Sequence, residues 1–358
     1  MPSAEISSSA IEQSAPASQQ AGRTYGLRPE ASEYPMMLVL SFVYPCNALC
    51  PHCPYTNSNI RKEYRDAPFM PEATFKKIAD ESGPFGAYLR ISGGGEPMLH
   101  PQGTELLVYA KTKGCKIGLI TNGSMFDDDN SRAFIAAGVD MIEFSVDACD
   151  KETYDIVRKG LNFEELKENV GRMIRMRNEM RGTTKVIASG VNQNGVDIEA
   201  VERYWVQEMG VDYFIKRKFL TWGVNTTLDS ARSADPSAYL NTDEVPCPFI
   251  FERLNIDSRG NVMVCGYDIS ANTSMGNVNQ DSIRDIWHGP GFRFYREKHL
   301  AGRGKDISLC AGCPDWKYRS WDHNYWKVVR NAEASRRMKL GEHDDFQGMV
   351  ENARGILG

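Results

Sequence analysis

The sequence predicts an α/β protein: a partial (β/α)6 barrel of the TIM type, followed by a small C-terminal module rich in metal-ligating cysteines. Three observations predict it. From residue 37 to about 217, short β-branched runs alternate with amphipathic stretches, the pattern of βα units repeated around a parallel sheet. Unusual polar residues follow four consecutive predicted strands, the end at which the loops of parallel βα architectures gather. Beyond residue 246 the pattern changes, and two spaced pairs of cysteines appear.

Taken in order, residues 1–34 are rich in Ser, Ala and Gln and lack a charged start followed by an apolar run. They are expected to be a disordered leader rather than a secretory signal. The barrel is expected over 35–225, with strands at 37–44, 87–92, 116–121, 139–146, 184–192 and 211–217. Between them 71–82, 101–113, 127–137, 162–180 and 197–209 read as helices, several entered by Pro or Asp, which suit helix starts. Six βα units make a barrel smaller than the eight-unit closed form. Residues 218–245 are polar and rich in Ser, Asp and Thr, the composition of a linker. The second module is expected over 240–316, where residues 255–265 read as two short strands across a Ser258-Arg-Gly-Asn261 turn. A helical extension is expected over 317–358.

A net charge of −5 argues against a polyanion-binding surface and hence against nucleic acid as a partner. No run approaches the roughly 18 apolar residues of a membrane span. Nine cysteines without an export signal point to the cytoplasm and to metal or redox chemistry, since disulfides seldom persist there. Cys115 and Cys149 stand apart from the groups and are expected to be small buried thiols.

Cys46-Asn-Ala-Leu-Cys50-Pro-His-Cys53 supplies three thiolates. A structural zinc ion needs four ligands and a redox dithiol only two, whereas an iron–sulfur cubane held by three cysteines keeps one iron free. His52, adjacent to Cys53, is poorly placed as a fourth zinc ligand. This CxxxCxxC spacing after the first strand resembles the signature of the radical S-adenosylmethionine superfamily. The resemblance implies a [4Fe–4S] cluster whose open iron chelates S-adenosylmethionine, and whose electron cleaves it to a 5′-deoxyadenosyl radical. It also implies that His52 packs near the adenine, and that Gly93-Gly94-Gly95-Glu96 is the stretch whose backbone and carboxylate meet the methionine ammonium. Glycine permits close approach to backbone, and a carboxylate suits an ammonium. Asn122, Ser145 and Asn192 stand where similar enzymes place polar contacts to the cofactor.

Cys247, Cys265, Cys310 and Cys313 are four thiolates that suit either zinc or a cubane. With Met275-Gly-Asn-Val278 and Ile283-Arg-Asp-Ile-Trp287-His288 they resemble the auxiliary-cluster domain called SPASM. The full domain has further cysteines after the CxxC, and this chain has none beyond Cys313. The remainder is similar to the shortened twitch form, as in the 2-deoxy-scyllo-inosamine dehydrogenase family, which implies one auxiliary [4Fe–4S] cluster with every iron ligated. The resemblance spans about residues 37–316.

A fully ligated cluster moves electrons, so the expected reaction is oxidation of a carbohydrate-like or small-molecule alcohol, with flavodoxin or ferredoxin as reductant. Candidate catalytic residues are Lys216, Arg217 and Cys149. The substrate is expected near Lys216-Arg217-Lys218 and Trp222, beneath Trp316–Trp321. The alternatives are a maturase acting on a ribosomal peptide, a radical epimerase using Cys149 as hydrogen-atom donor, and, in another class, a non-catalytic zinc-binding module.

Overall fold

A computed structural model of the chain describes residues 31, 33–57, 59–219, 247, 249–269, 273–311 and 313. Strands β1 (Met37–Leu40), β2 (Tyr88–Ile91), β3 (Lys116–Thr121), β4 (Met141–Ser145), β5 (Lys185–Asn192) and β6 (Tyr213–Lys218) are parallel neighbours in sequence order. Helices α1 (Glu72–Ser82), α2 (Gly103–Thr112), α3 (Asp128–Ala137), α4 (Lys151–Val157), α5 (Phe163–Glu179) and α6 (Ile198–Arg203) connect them. Asp127, Asp150, Asn162 and Asp197 each accept from first-turn amides; Asp127, Asn162 and Asp197 open expected helices, whereas α4, capped by Asp150, lies outside them. Helix α6 is shorter than expected because Tyr204–Glu208 continues it as a π-helical turn, which buries Trp205 and lets its indole donate to Ala148 O at 2.8 Å.

Side chains alternate across each strand. On one face Leu38, Leu89, Leu119, Ile142, Phe144, Val186 and Phe214 pack against Phe75, Leu106, Phe134, Val170 and Val201 of the helices. The other face is layered. Its lower layer, at the strand starts, is an apolar plug of Met37, Tyr88, Met141, Ile187, Tyr213 and Ile215. Two residues further along, Arg90, Glu143, Ser189 and Arg217 replace it with polar groups. Gly118 leaves the space that Tyr88 fills, since a Cβ there would lie 1.6 Å from the Tyr88 hydroxyl.

The second module is not separate from the barrel. β7 (Arg253–Ile256) pairs in parallel with β1, Met37 opposite Arg253, and β8 (Asn261–Met263) and β9 (Ser274–Asn277) add antiparallel strands to the same sheet. Tyr64 donates to Asp257 Oδ2 at 2.8 Å and Ser258 to Ala67 O at 2.6 Å, fastening the β7–β8 turn to the segment after the cysteine loop. Helices α7 (Ile283–His288) and α8 (Pro290–Leu300) close this end. Trp287 is buried, donates to Ala31 O at 2.9 Å, and lies 3.9 Å beneath the Arg296 guanidinium. The folded body therefore begins before the expected end of the leader: Ala31 and Tyr34 are buried, and Tyr34 stacks on Phe85 at 4.3 Å. Trp222, the Trp316–Trp321 segment, the part of the expected 218–245 linker beyond residue 219 and the C-terminal extension lie outside the described residues.

Candidate active site

β1 is shorter than predicted because the chain leaves the ladder after Leu40, keeping single bridges from Val43 to Phe69 and Gly94. The loop beyond those bridges bears Cys46, Cys50 and Cys53, with Cys50 buried and the other two half-buried. The Ala48 amide donates to Cys46 Sγ at 3.4 Å, and Arg158 Nη1 lies 3.7 Å from Cys50 Sγ. Burial pushes both thiols up, Cys50 to about 11, while the Ala48 amide and the Arg158 charge oppose it. Metal binding requires the thiolate, and these donors point positive charge at two of the three sulfurs. Among the described residues, no three His, Cys, Asp or Glu side chains close around a single ion. An all-sulfur donor set polarised in this way fits an iron–sulfur cluster.

The glycine run serves the loop itself. A Cβ at Gly95 would lie 1.8 Å from Pro45 O, and one at Gly94, where φ is +73, 2.3 Å from Val43 O. Gly95 N donates to Val43 O at 2.6 Å and Glu96 N to Pro45 O at 2.9 Å. The motif alone suggests ligand approach at these glycines; the structure shows backbone meeting backbone. Glu96 is 2% exposed, and its carboxylate accepts from Thr121 Oγ1 (2.7 Å), Asn122 N (2.7 Å) and Met98 N (3.1 Å). Burial raises its pKa against those donors. Asn122 spends its side chain on Asn47 (2.8 Å) and Ser124, so it too braces the cysteine loop.

Sequence reasoning missed the group beneath Cys50. Asp147, just past β4, is buried with φ 58, and accepts from Val191 N at 2.6 Å. Its Oδ2 lies 2.6 Å from Arg158 Nε and 3.5 Å from His52 Nε2. Burial lowers His52 to about 4 against the pull of Asp147, so near neutral pH the His52 contact is that of an uncharged ring and the ion pair belongs to Arg158. Ser145 is half-buried at the end of β4, on the interior face with Met141 and Glu143. Asn192 is exposed and shares the helix-facing parity of Val186 and Ala188, away from Ser145.

The catalytic candidates separate for the same reason. Lys216 faces the helices, where it meets Glu199 and lies 2.5 Å from Glu202, tying β6 to α6. Burial alone would lower it, but the two carboxylates raise it on balance. Arg217 faces inward, and its Nε donates to Glu143 Oε1 at 3.1 Å. Burial would raise the Glu143 carboxyl, yet Arg217 and Arg90 hold it below its ordinary value. Cys149 is half-buried against the core, with Asp150, Asp197 and Glu208 for electrostatic neighbours; burial raises its thiol. Cys115 is buried and donates to Ala79 O at 3.4 Å.

In the second module Cys247 and Cys265 are buried, and Cys310 and Cys313 half-buried. Cys313 N donates to Cys310 O at 3.1 Å, a tight turn presenting both thiols. His299 on α8, 2% exposed, lies between Cys247 and Cys310.

A parallel barrel with a three-thiol loop at its first strand end and a four-thiol module on its flank defines a class of iron–sulfur enzyme. Residues 40–203 match the radical SAM superfamily and residues 247–314 match SPASM, described as an iron–sulfur cluster-binding domain. The chain belongs to the radical SAM superfamily and carries a SPASM domain, so its cofactors are S-adenosylmethionine and [4Fe–4S] clusters, one binding S-adenosylmethionine and one auxiliary. It is 26% identical over 326 residues to a tungsten-containing aldehyde ferredoxin oxidoreductase cofactor-modifying protein of Pyrococcus furiosus, covering 77% of this chain and 88% of that one. It is 23% identical over 320 residues to a PqqA peptide cyclase of Xanthomonas oryzae, covering 79% and 82%. In fold it resembles Streptococcus suis SuiB bound to S-adenosylmethionine, with a TM-score of 0.61 at 15% identity over 91% of this chain and 80% of that one. No helix among the described residues is long and apolar enough to cross a membrane.

Proposed function

We propose that this protein is a peptide-modifying radical enzyme, in which Cys46, Cys50 and Cys53 hold the cluster that binds S-adenosylmethionine and Cys247, Cys265, Cys310 and Cys313 hold the auxiliary cluster. The observation that carries this reading is the similarity to PqqA peptide cyclases, which runs through both domains rather than through the barrel alone. It displaces oxidation of a small alcohol as the favoured reaction. The bound cofactor pair supplies a 5′-deoxyadenosyl radical that takes a hydrogen atom from carbon. The protein's own contribution is positional. Glu96 and Asn122 fix the cysteine loop at the barrel mouth, and Ser145 lies on the mouth-facing side of β4. Arg217 and Glu143 form a charged floor beneath.

Closing a bond within a peptide removes a pair of hydrogens. One leaves as an atom to form 5′-deoxyadenosine; the other leaves as a proton and an electron, and Cys247, Cys265, Cys310 and Cys313 would hold the auxiliary centre that would supply an acceptor for that electron. The test uses anaerobically reconstituted, reduced protein with S-adenosylmethionine and a panel of deuterated synthetic peptides. Deuterium in 5′-deoxyadenosine, with a matching mass loss in the peptide, is the expected result. Deuterium delivered from sugar alcohols but from no peptide sinks the assignment. Cys149→Ala is expected to retain the reaction, whereas loss of product with continued hydrogen abstraction identifies an epimerase.

A further inference from the structure

His299 joins the two cysteine pairs of the SPASM module. Its imidazole is 2% exposed, so water does not compete for its nitrogens. The backbone amide of Cys247 approaches Nδ1 at 3.2 Å, and Nε2 lies 3.5 Å from Cys310 Sγ. A backbone amide only donates, so Nδ1 must accept. In the neutral ring the proton then resides on Nε2, which makes Nε2–H a donor aimed at the Cys310 sulfur. α8, which carries His299, is clamped independently: Arg296 donates to Ile250 O and Trp287 O, both at 2.9 Å. The imidazole is thus held at both ends on a fixed helix.

We propose that His299 is a positioning residue that hydrogen-bonds the Cys310 thiolate and thereby sets the reduction potential of the auxiliary cluster, while its other nitrogen fixes Cys247. The inference rests on Cys247 and Cys310 being cluster ligands. Hydrogen bonds to ligand sulfurs stabilise the more negative, reduced state and raise the potential. The donor here belongs to a side chain rather than to the backbone, so substitution removes it cleanly.

Two substitutions separate its two bonds. His299→Asn keeps an acceptor near the Nδ1 position for Cys247 but does not reach Cys310; His299→Gln places an amide donor near the Nε2 position. Reconstituted full-length variants are titrated potentiometrically, following the auxiliary cluster by electron paramagnetic resonance, with iron content measured in parallel. His299→Asn is expected to keep its iron and to disfavour reduction about tenfold, a drop of about 59 mV for one electron, with His299→Gln close to wild type. A His299→Asn potential equal to wild type, or equal shifts in both variants, overturns the proposal. The ligand assignment fails separately: Cys310→Ser retaining the wild-type auxiliary signal and iron refutes it whatever the histidine variants show.

Discussion

Asp147 shows how much a single side chain can depend on one partner. Its carboxylate is buried in a left-handed backbone position that Asp tolerates better than most residues, and Arg158 is the cation beside it at 2.6 Å. Arg158→Met strands a buried charge and is expected to cost about 3–5 kcal/mol, read by urea denaturation of the apoprotein. Gly95→Ala places a methyl against Pro45 O. It is expected to cost about 1–3 kcal/mol and to lower iron incorporation after reconstitution, because the cysteine loop must move to admit it. A Gly95→Ala protein with wild-type stability and iron content refutes the backbone-contact account.

Among the elements, alternation along the strands decides which groups can meet. Lys216 and Arg217 are neighbours in sequence and point to opposite sides of β6, one to α6 and one to Glu143 on β4. The Glu143 carboxyl is held below the ordinary value of about 4.3. The stability it contributes is therefore fully present above that pH and is lost as pH falls through its depressed folded value. Glu143→Gln is expected to be less stable than wild type at pH 7, with the difference shrinking in acid; a gap that is constant with pH contradicts the assignment. The βα units, most helix boundaries and the helix starts at Asp127, Asn162 and Asp197 were legible in the sequence because periodicity and capping are local; α4 with its cap Asp150 was not, since seven residues are too short to show a helical period. Arg158, Glu143 and His299 were not, since nothing local distinguishes them from other charged or polar residues on helices and strands.

For the molecule as a whole, the important joint is β1 with β7. It makes the barrel and the SPASM module one sheet, and Asp257 secures it by accepting from Tyr64, from the amides of Arg259 and Asn261 and from the Asn261 side chain. Asp257→Ala leaves the buried Tyr64 hydroxyl and the half-buried Arg259 and Asn261 donors without this acceptor, at about 1–3 kcal/mol for each one that finds no water. It is expected to lower the unfolding temperature of both domains together in calorimetry; two separate transitions, with only the later one unchanged, indicate that the domains are independent.

Cysteine spacing and the alternation of strands and helices were enough to define the class of fold, the superfamily and the cofactors, because both are written over short stretches of chain. It took the folded chain to reveal that the glycine run cradles the cysteine loop, that Lys216 and Arg217 part company, and that the second module extends the barrel sheet. Each of these joins residues far apart in the chain, where contact is set by packing and strand parity.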